Sequence, residues 1–156
     1  MIFLENFTSY KISKDFFNKL SKIVKKEEKI KNSLSLEVVL LGEKGIRNIN
    51  KRYAGKNKVT TVLSFPLSEI KKPSKKELAD FIEPKEENKL LGEILLCPTR
   101  IKKVANRYKK DFKGELTFNF IHGFLHLLGY NHKNTKDTRE MRKKEREILN
   151  KIKIAI

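Results

Sequence analysis

The sequence predicts an α+β fold, with four strands and about five helices in one compact layered unit. Three observations predict it. Four short runs, at residues 1–8, 34–41, 59–65 and 90–97, are rich in apolar and β-branched residues. The stretches between several of them repeat apolar residues at helical spacing. A later stretch, Glu115 to Leu128, is apolar almost all round, which predicts a buried central helix. At 156 residues the chain suffices for one domain with a sizeable core and hardly for two, so residues 1–156 are expected to form a single domain.

Taken in order, residues 1–8 read as the first strand. Ser13 suits the cap of a helix whose Phe16, Leu20, Ile23 and Val24 keep helical spacing, with Ile30 extending the row and lysines filling the other face. Leu34 to Leu41 first alternates and then turns fully apolar, as a strand passing from an edge into a core does, and Gly42 ends it. A helix is expected from about Glu43 to Tyr53, with Ile46, Ile49 and Tyr53 facing inward. Val59 to Phe65 is β-branched and aromatic, hence a strand, and Pro66 closes it. Residues 68–89, rich in Lys, Glu and Pro, read as a surface loop with a helical turn around Glu77–Ile82. Leu90 to Cys97 is the fourth strand. Pro98 suits the first turn of a helix running to about Lys109. The last helix is expected from about Asp137 to Ile152, with Met141, Ile148 and Leu149 inward.

Composition narrows the function classes. The formal charge is +17, from 36 Lys and Arg against 19 Asp and Glu, which favours a polyanionic partner such as RNA or DNA. No apolar run reaches membrane-spanning length, and the first residues lack the basic head and long apolar body of a signal peptide. A cytoplasmic protein is expected. The one cysteine, Cys97, rules out an internal disulfide and, within an apolar strand, reads as a buried structural thiol.

All three histidines fall within eleven residues, His122 to His132. His122 and His126 are four apart, which sets both imidazoles on one helix face about 6 Å apart along the axis. Gly129 ends the helical run and allows a turn that swings His132 back towards them. Three converging imidazoles make a metal site, most naturally for zinc, and three protein ligands leave a fourth position open for chemistry. Spacing alone allows peptide or phosphodiester hydrolysis. Metzincin peptidases share the spacing but carry their glutamate base directly after the first histidine, where this chain has Gly123. The nearest carboxylate along the sequence is Glu115, two helical turns away. A conventional peptidase is therefore disfavoured.

Taken together, these segments resemble the YbeY family of bacterial rRNA maturation factors. The resemblance is carried by His122-Gly-Phe-Leu-His-Leu-Leu-Gly-Tyr-Asn-His132, by Thr60-Thr-Val-Leu-Ser-Phe-Pro66, by Leu91-Gly-Glu-Ile-Leu-Leu-Cys-Pro98, and by Met141 with Glu145 in the closing helix. It implies a mixed four-stranded sheet flanked by helices, with the histidine helix lying across it. It also implies a metal-dependent, single-strand-directed endoribonuclease acting in 16S rRNA 3′-end maturation and ribosome quality control. Zinc, or another divalent metal, would sit on His122, His126 and His132, and the partners would be rRNA and the small ribosomal subunit. Three positions depart from the family pattern. Ala54 stands where an arginine usually follows the aromatic Tyr53, Asn131 replaces the aspartate of the histidine box, and Thr61 replaces the strand aspartate. An alanine cannot make the bidentate phosphate contact an arginine makes.

Ser64 is a candidate donor to the substrate, and Arg52, Lys56, Arg100 and Arg107 are candidate nucleic-acid contacts; Arg100 and Arg107 belong to a basic helix with Tyr108 interleaved. Two rival readings remain: a non-catalytic assembly factor that binds the small subunit and keeps a structural metal, and a zinc hydrolase of another class.

Overall fold

A computed structural model describes residues 1–67 and 89–155. The expected loop at 68–89 and its helical turn at Glu77–Ile82 lie outside the described residues, Lys89 excepted. In chain order the elements are β1 (Ile2–Asn6), α1 (Lys14–Glu27), β2 (Ser35–Leu40), α2 (Glu43–Ala54), β3 (Val62–Pro66), β4 (Leu90–Leu96), α3 (Pro98–Arg107), α4 (Phe112–Leu127) and α5 (Thr135–Ala155). The strands lie in the order β1-β2-β4-β3. β2 runs parallel to β1 and to β4, and β3 runs antiparallel to β4 at the edge. This is the mixed four-stranded α+β sheet that the resemblance implies.

Strand alternation divides the core in two. Leu36, Val38 and Leu40 of β2 and Ile94 and Leu96 of β4 face one way, where they pack with Phe17, Leu20 and Val24 of α1, Phe120 and Phe124 of α4, and Met141 and Ile148 of α5. Leu95 and Cys97 belong to a smaller cluster on the other face, with Ile46 of α2 and the partly buried Leu63 and Phe65 of β3. Cys97 is fully buried, and burial pushes its thiol pKa up. It is a structural thiol, as its strand setting predicts.

α4 is the central element, and its sequence explains its burial. Leu116, Phe120, Ile121, Phe124, Leu125 and Leu127 are buried, whereas Phe118 is only half-buried. The helix starts three residues earlier than its apolar pattern suggests. Asp111 caps it, its carboxylate accepting from the Gly114 amide at 3.0 Å, a polar signal that apolar periodicity does not register. Gly123 is the point of closest approach to the sheet. A Cβ there would sit 2.9 Å from Ile94 Cγ2 and 3.2 Å from Val62 Cγ2, so only glycine lets α4 lie this near β3 and β4.

Other expectations shift by smaller amounts. β3 begins at Val62 rather than Val59, because the preceding residues are held by α2: the Asn50 side chain donates to Lys58 O at 3.0 Å. Pro66 is the last residue of that strand, which an edge position tolerates. Tyr53 does not face inward. It is 64% exposed and packs edge-on to Phe65. Lys25, expected on the solvent face of α1, is only 3% exposed. Its ammonium donates to Leu34 O at 2.5 Å and Asn32 O at 3.2 Å, closing the turn between α1 and β2. Burial lowers its pKa.

Because Lys25 satisfies two carbonyls beneath that turn, Lys25→Met is expected to cost about 1–3 kcal/mol of stability. Urea unfolding followed by circular dichroism measures this, and a midpoint unchanged from wild type would contradict the assignment.

Candidate metal centre

The site is built by the way α4 ends. Gly129 takes a positive φ of 96°, and two bonds close the turn: Tyr130 N to Leu125 O at 3.1 Å and Gly129 N to His126 O at 3.0 Å. This is a Schellman motif, with Leu125 and Tyr130 as its apolar pair in the main core. The same turn carries the Tyr130 carbonyl to His126, whose Nδ1 lies 2.8 Å from it. The chain then doubles back. Asn131 Oδ1 accepts from the Lys133 amide at 3.1 Å, and Asn134 Oδ1 accepts from Asp137 N at 2.8 Å at the start of α5. His132 is held between these two polar turns.

The result is convergence. His126 Nε2 is 3.1 Å and His132 Nε2 is 3.4 Å from His122 Nε2, and one ligating atom from each histidine lies within 4.8 Å of the others. Zinc binds imidazole nitrogens at about 2.0–2.1 Å in a tetrahedral array, which sets ligand nitrogens about 3.3 Å apart. The donor set and its spacing therefore fit a metal ion. Two of the rings are also oriented from behind. His122 Nδ1 donates to Glu145 Oε1 at 2.6 Å, and His126 Nδ1 donates to Tyr130 O, when each ring turns an unprotonated Nε2 towards the ion. Glu145 is only 6% exposed and comes from α5. Burial first, and then the neighbouring His122, hold the pKa values of His126 and His132 below the usual imidazole value, which favours the neutral, ligating form.

Tyr130 also tethers the turn. Its hydroxyl donates to Glu28 Oε2 at 2.8 Å, and Lys144 of α5 lies 3.3 Å from Glu28 Oε1. Burial, and then Glu28, push the Tyr130 pKa upward, so the phenol stays a donor.

The other sequence-selected residues are dispersed. Ser64 pairs with Ile94 in the ladder and shares with Val62 the sheet face against Gly123, so it lies on the side of the histidine helix. Arg52 lies elsewhere: its guanidinium is 5.5 Å from the Tyr53 ring, in a cleft with Phe65 and Glu93 on the opposite sheet face. Lys56 is exposed in the turn after α2, with its amide bonded to Asn50 O. Arg100 and Arg107 are on α3, where Arg107 leans on Tyr108 at 5.8 Å. The basic run around α3 is partly neutralised, since Lys103 pairs with Glu43 at 2.6 Å and Lys110 lies 4.0 Å from Glu115. Asn131 serves its turn through the Lys133 amide rather than a ligand imidazole. The carboxylate behind the triad is Glu145, to which sequence reasoning gave no role. A signal existed: Glu145 falls between Met141 and Ile148 on the inward face of its helix, an unusual phase for an acid.

Comparisons with known proteins agree with this geometry. A family model described as Endoribonuclease YbeY matches residues 4–153. A Staphylococcus epidermidis protein named endoribonuclease YbeY is 40% identical over 136 residues, covering 87% of this chain and 84% of that protein. A Staphylococcus carnosus protein of the same name is 35% identical over 153 residues and covers 95% of each. A solution structure of a Thermotoga maritima protein superposes with a TM-score of 0.59 at 25% identity, covering 96% of this chain and 87% of that one.

Two outcomes test the site. Glu145→Gln should weaken zinc binding about 10–100-fold, whereas Asn131→Asp, which keeps its bond to Lys133 N, should leave it nearly unchanged; competition against a chromophoric chelator reads both. Gly123→Glu, which installs the peptidase base, should yield no casein hydrolysis. It should also destabilise the fold by upwards of ~3 kcal/mol, since a carboxylate would be forced against Ile94 and Val62.

Proposed function

The chain belongs to the endoribonuclease YbeY family, and from that premise we infer that it is a zinc-dependent endoribonuclease. It would cut single-stranded RNA in 16S rRNA 3′-end maturation and ribosome quality control. The observation that carries this reading is the convergence of His122, His126 and His132 Nε2, with Glu145 and the Tyr130 carbonyl behind two of the rings. Imidazole suits several divalent metals, and zinc is the most natural for three neutral histidines with an open fourth position. Bound there, zinc would supply a Lewis acid for a phosphoryl oxygen and lower the pKa of a coordinated water towards 7.

The chain's own residues do the rest. Glu145 holds the proton of His122 on Nδ1, and the Tyr130 carbonyl does the same for His126, so both rings keep a fixed tautomer and a fixed aim. Ser64, on the sheet face turned to α4, is the candidate hydroxyl donor to substrate. The net charge of +17 draws a polyanion to the protein from a distance. The peptidase alternative finds no support at Gly123, which is pressed against the sheet and has no room for a base. No helix among the described residues is long and apolar enough to cross a membrane. A cytoplasmic, single-domain protein of residues 1–156 acting on rRNA and the small ribosomal subunit completes the proposal.

Ala54 favours one competing reading, a small-subunit assembly factor that binds RNA without cutting it, because a family arginine is missing there. The deciding experiment incubates zinc-loaded protein with a single-stranded 16S rRNA 3′-end fragment, beside His126→Ala purified identically. Cleavage by wild type alone is the expected result. Equal cleavage by both would indicate a contaminating nuclease, and binding without cleavage would support the assembly-factor reading.

A further inference from the structure

Beside the triad a cleft of about 780 Å³ opens between α4 and α5. His132 and Glu145 line it at the metal centre, Phe118 lies on its floor, and Arg139, Arg142 and Arg146 of α5 line its wall. Helical spacing explains the wall. Positions 139, 142 and 146 fall on one stripe, rising about 10 Å along the axis. Glu145 lies beside that stripe, and its bond to His122 pins it against the metal centre. All three arginines are exposed, and Arg142 and Arg146 have no ion-pair partner among the described residues. The neighbouring cations differ: Lys103, Lys110 and Lys144 are all near carboxylates. Free guanidinium forks match phosphate oxygens two at a time. Phe118, with its ring centroid 5.9 Å from that of His122, offers a face on which a base can stack.

The geometry points to this cleft as the seat of the RNA strand, with Arg142 and Arg146 gripping the phosphates that flank the bond at the metal centre. This inference rests on the ribonuclease reading above and adds to it the residues that hold the chain. It moves the phosphate contacts from α2 and α3 to α5, where they share a cleft with a metal ligand. Phosphate contacts of this kind fix register and carry no base preference, as suits a strand-directed enzyme.

The test is binding of a fluorescein-labelled, 2′-O-methyl single-stranded RNA, which keeps every phosphate and resists hydrolysis, to zinc-loaded protein by anisotropy across a salt series. R142Q/R146Q is compared with K44Q/K51Q, which removes two exposed charges from α2 on the other sheet face. The arginine pair is expected to weaken binding about tenfold or more and to reduce the salt slope by about 2, one per lost phosphate contact. The lysine pair should change affinity by about twofold at most, and zinc content and melting temperature should match wild type in both. Equal losses in the two pairs, or unchanged binding in R142Q/R146Q, would overturn the inference. If wild type meanwhile binds and cleaves RNA, the ribonuclease reading survives alone. A wild type that neither binds nor cleaves overturns both.

Discussion

The turn from Leu125 to Tyr130 is the constraint on which the site depends. Its two backbone bonds finish α4, its positive-φ glycine reverses the chain, and its last residue serves three ends at once. The Tyr130 amide caps the helix, its carbonyl orients His126, and its hydroxyl ties the turn to Glu28 at the end of α1. A metal site needs ligands placed within a few tenths of an ångström, and loops seldom supply that by themselves. Here the loop is short, polar at both ends and anchored in the core, so His132 returns to the other two rings.

α4 can carry this load because it is held on every side. Gly123 lets it sink onto β3 and β4, the phenylalanines of its other face pack towards α1, and Glu145 bonds to it from α5. The histidines occupy the remaining, partly exposed stripe. The glycine in the peptidase-base position has a packing role of its own, since the requirement for close contact with the sheet excludes any side chain there.

Charge is distributed less evenly than the total of +17 suggests. Around α3 the cations pair with Glu43 and Glu115 or lean on rings, which lowers what they can offer a polyanion. On α5 the arginines next to the triad stay unpaired among the described residues, beside a cleft large enough for a strand of nucleic acid. Field strength at a site follows such pairing and proximity more than composition.

The sequence by itself determined the strand count, the helix count and the identity of the three histidines. Each is written in local pattern: alternation, helical spacing, and the His-x3-His-x5-His run closed by Gly129. It also determined Ser13 as a cap, because that signal is a bond to a residue three positions on. The tertiary structure alone decided the burial of Lys25, the exposure of Tyr53, the partnership of His122 with Glu145 and the opening of α5 onto the metal centre. These link residues far apart in sequence, or depend on which neighbour covers a face. Spacing along the chain records which side of a helix a residue takes, and not what stands opposite it.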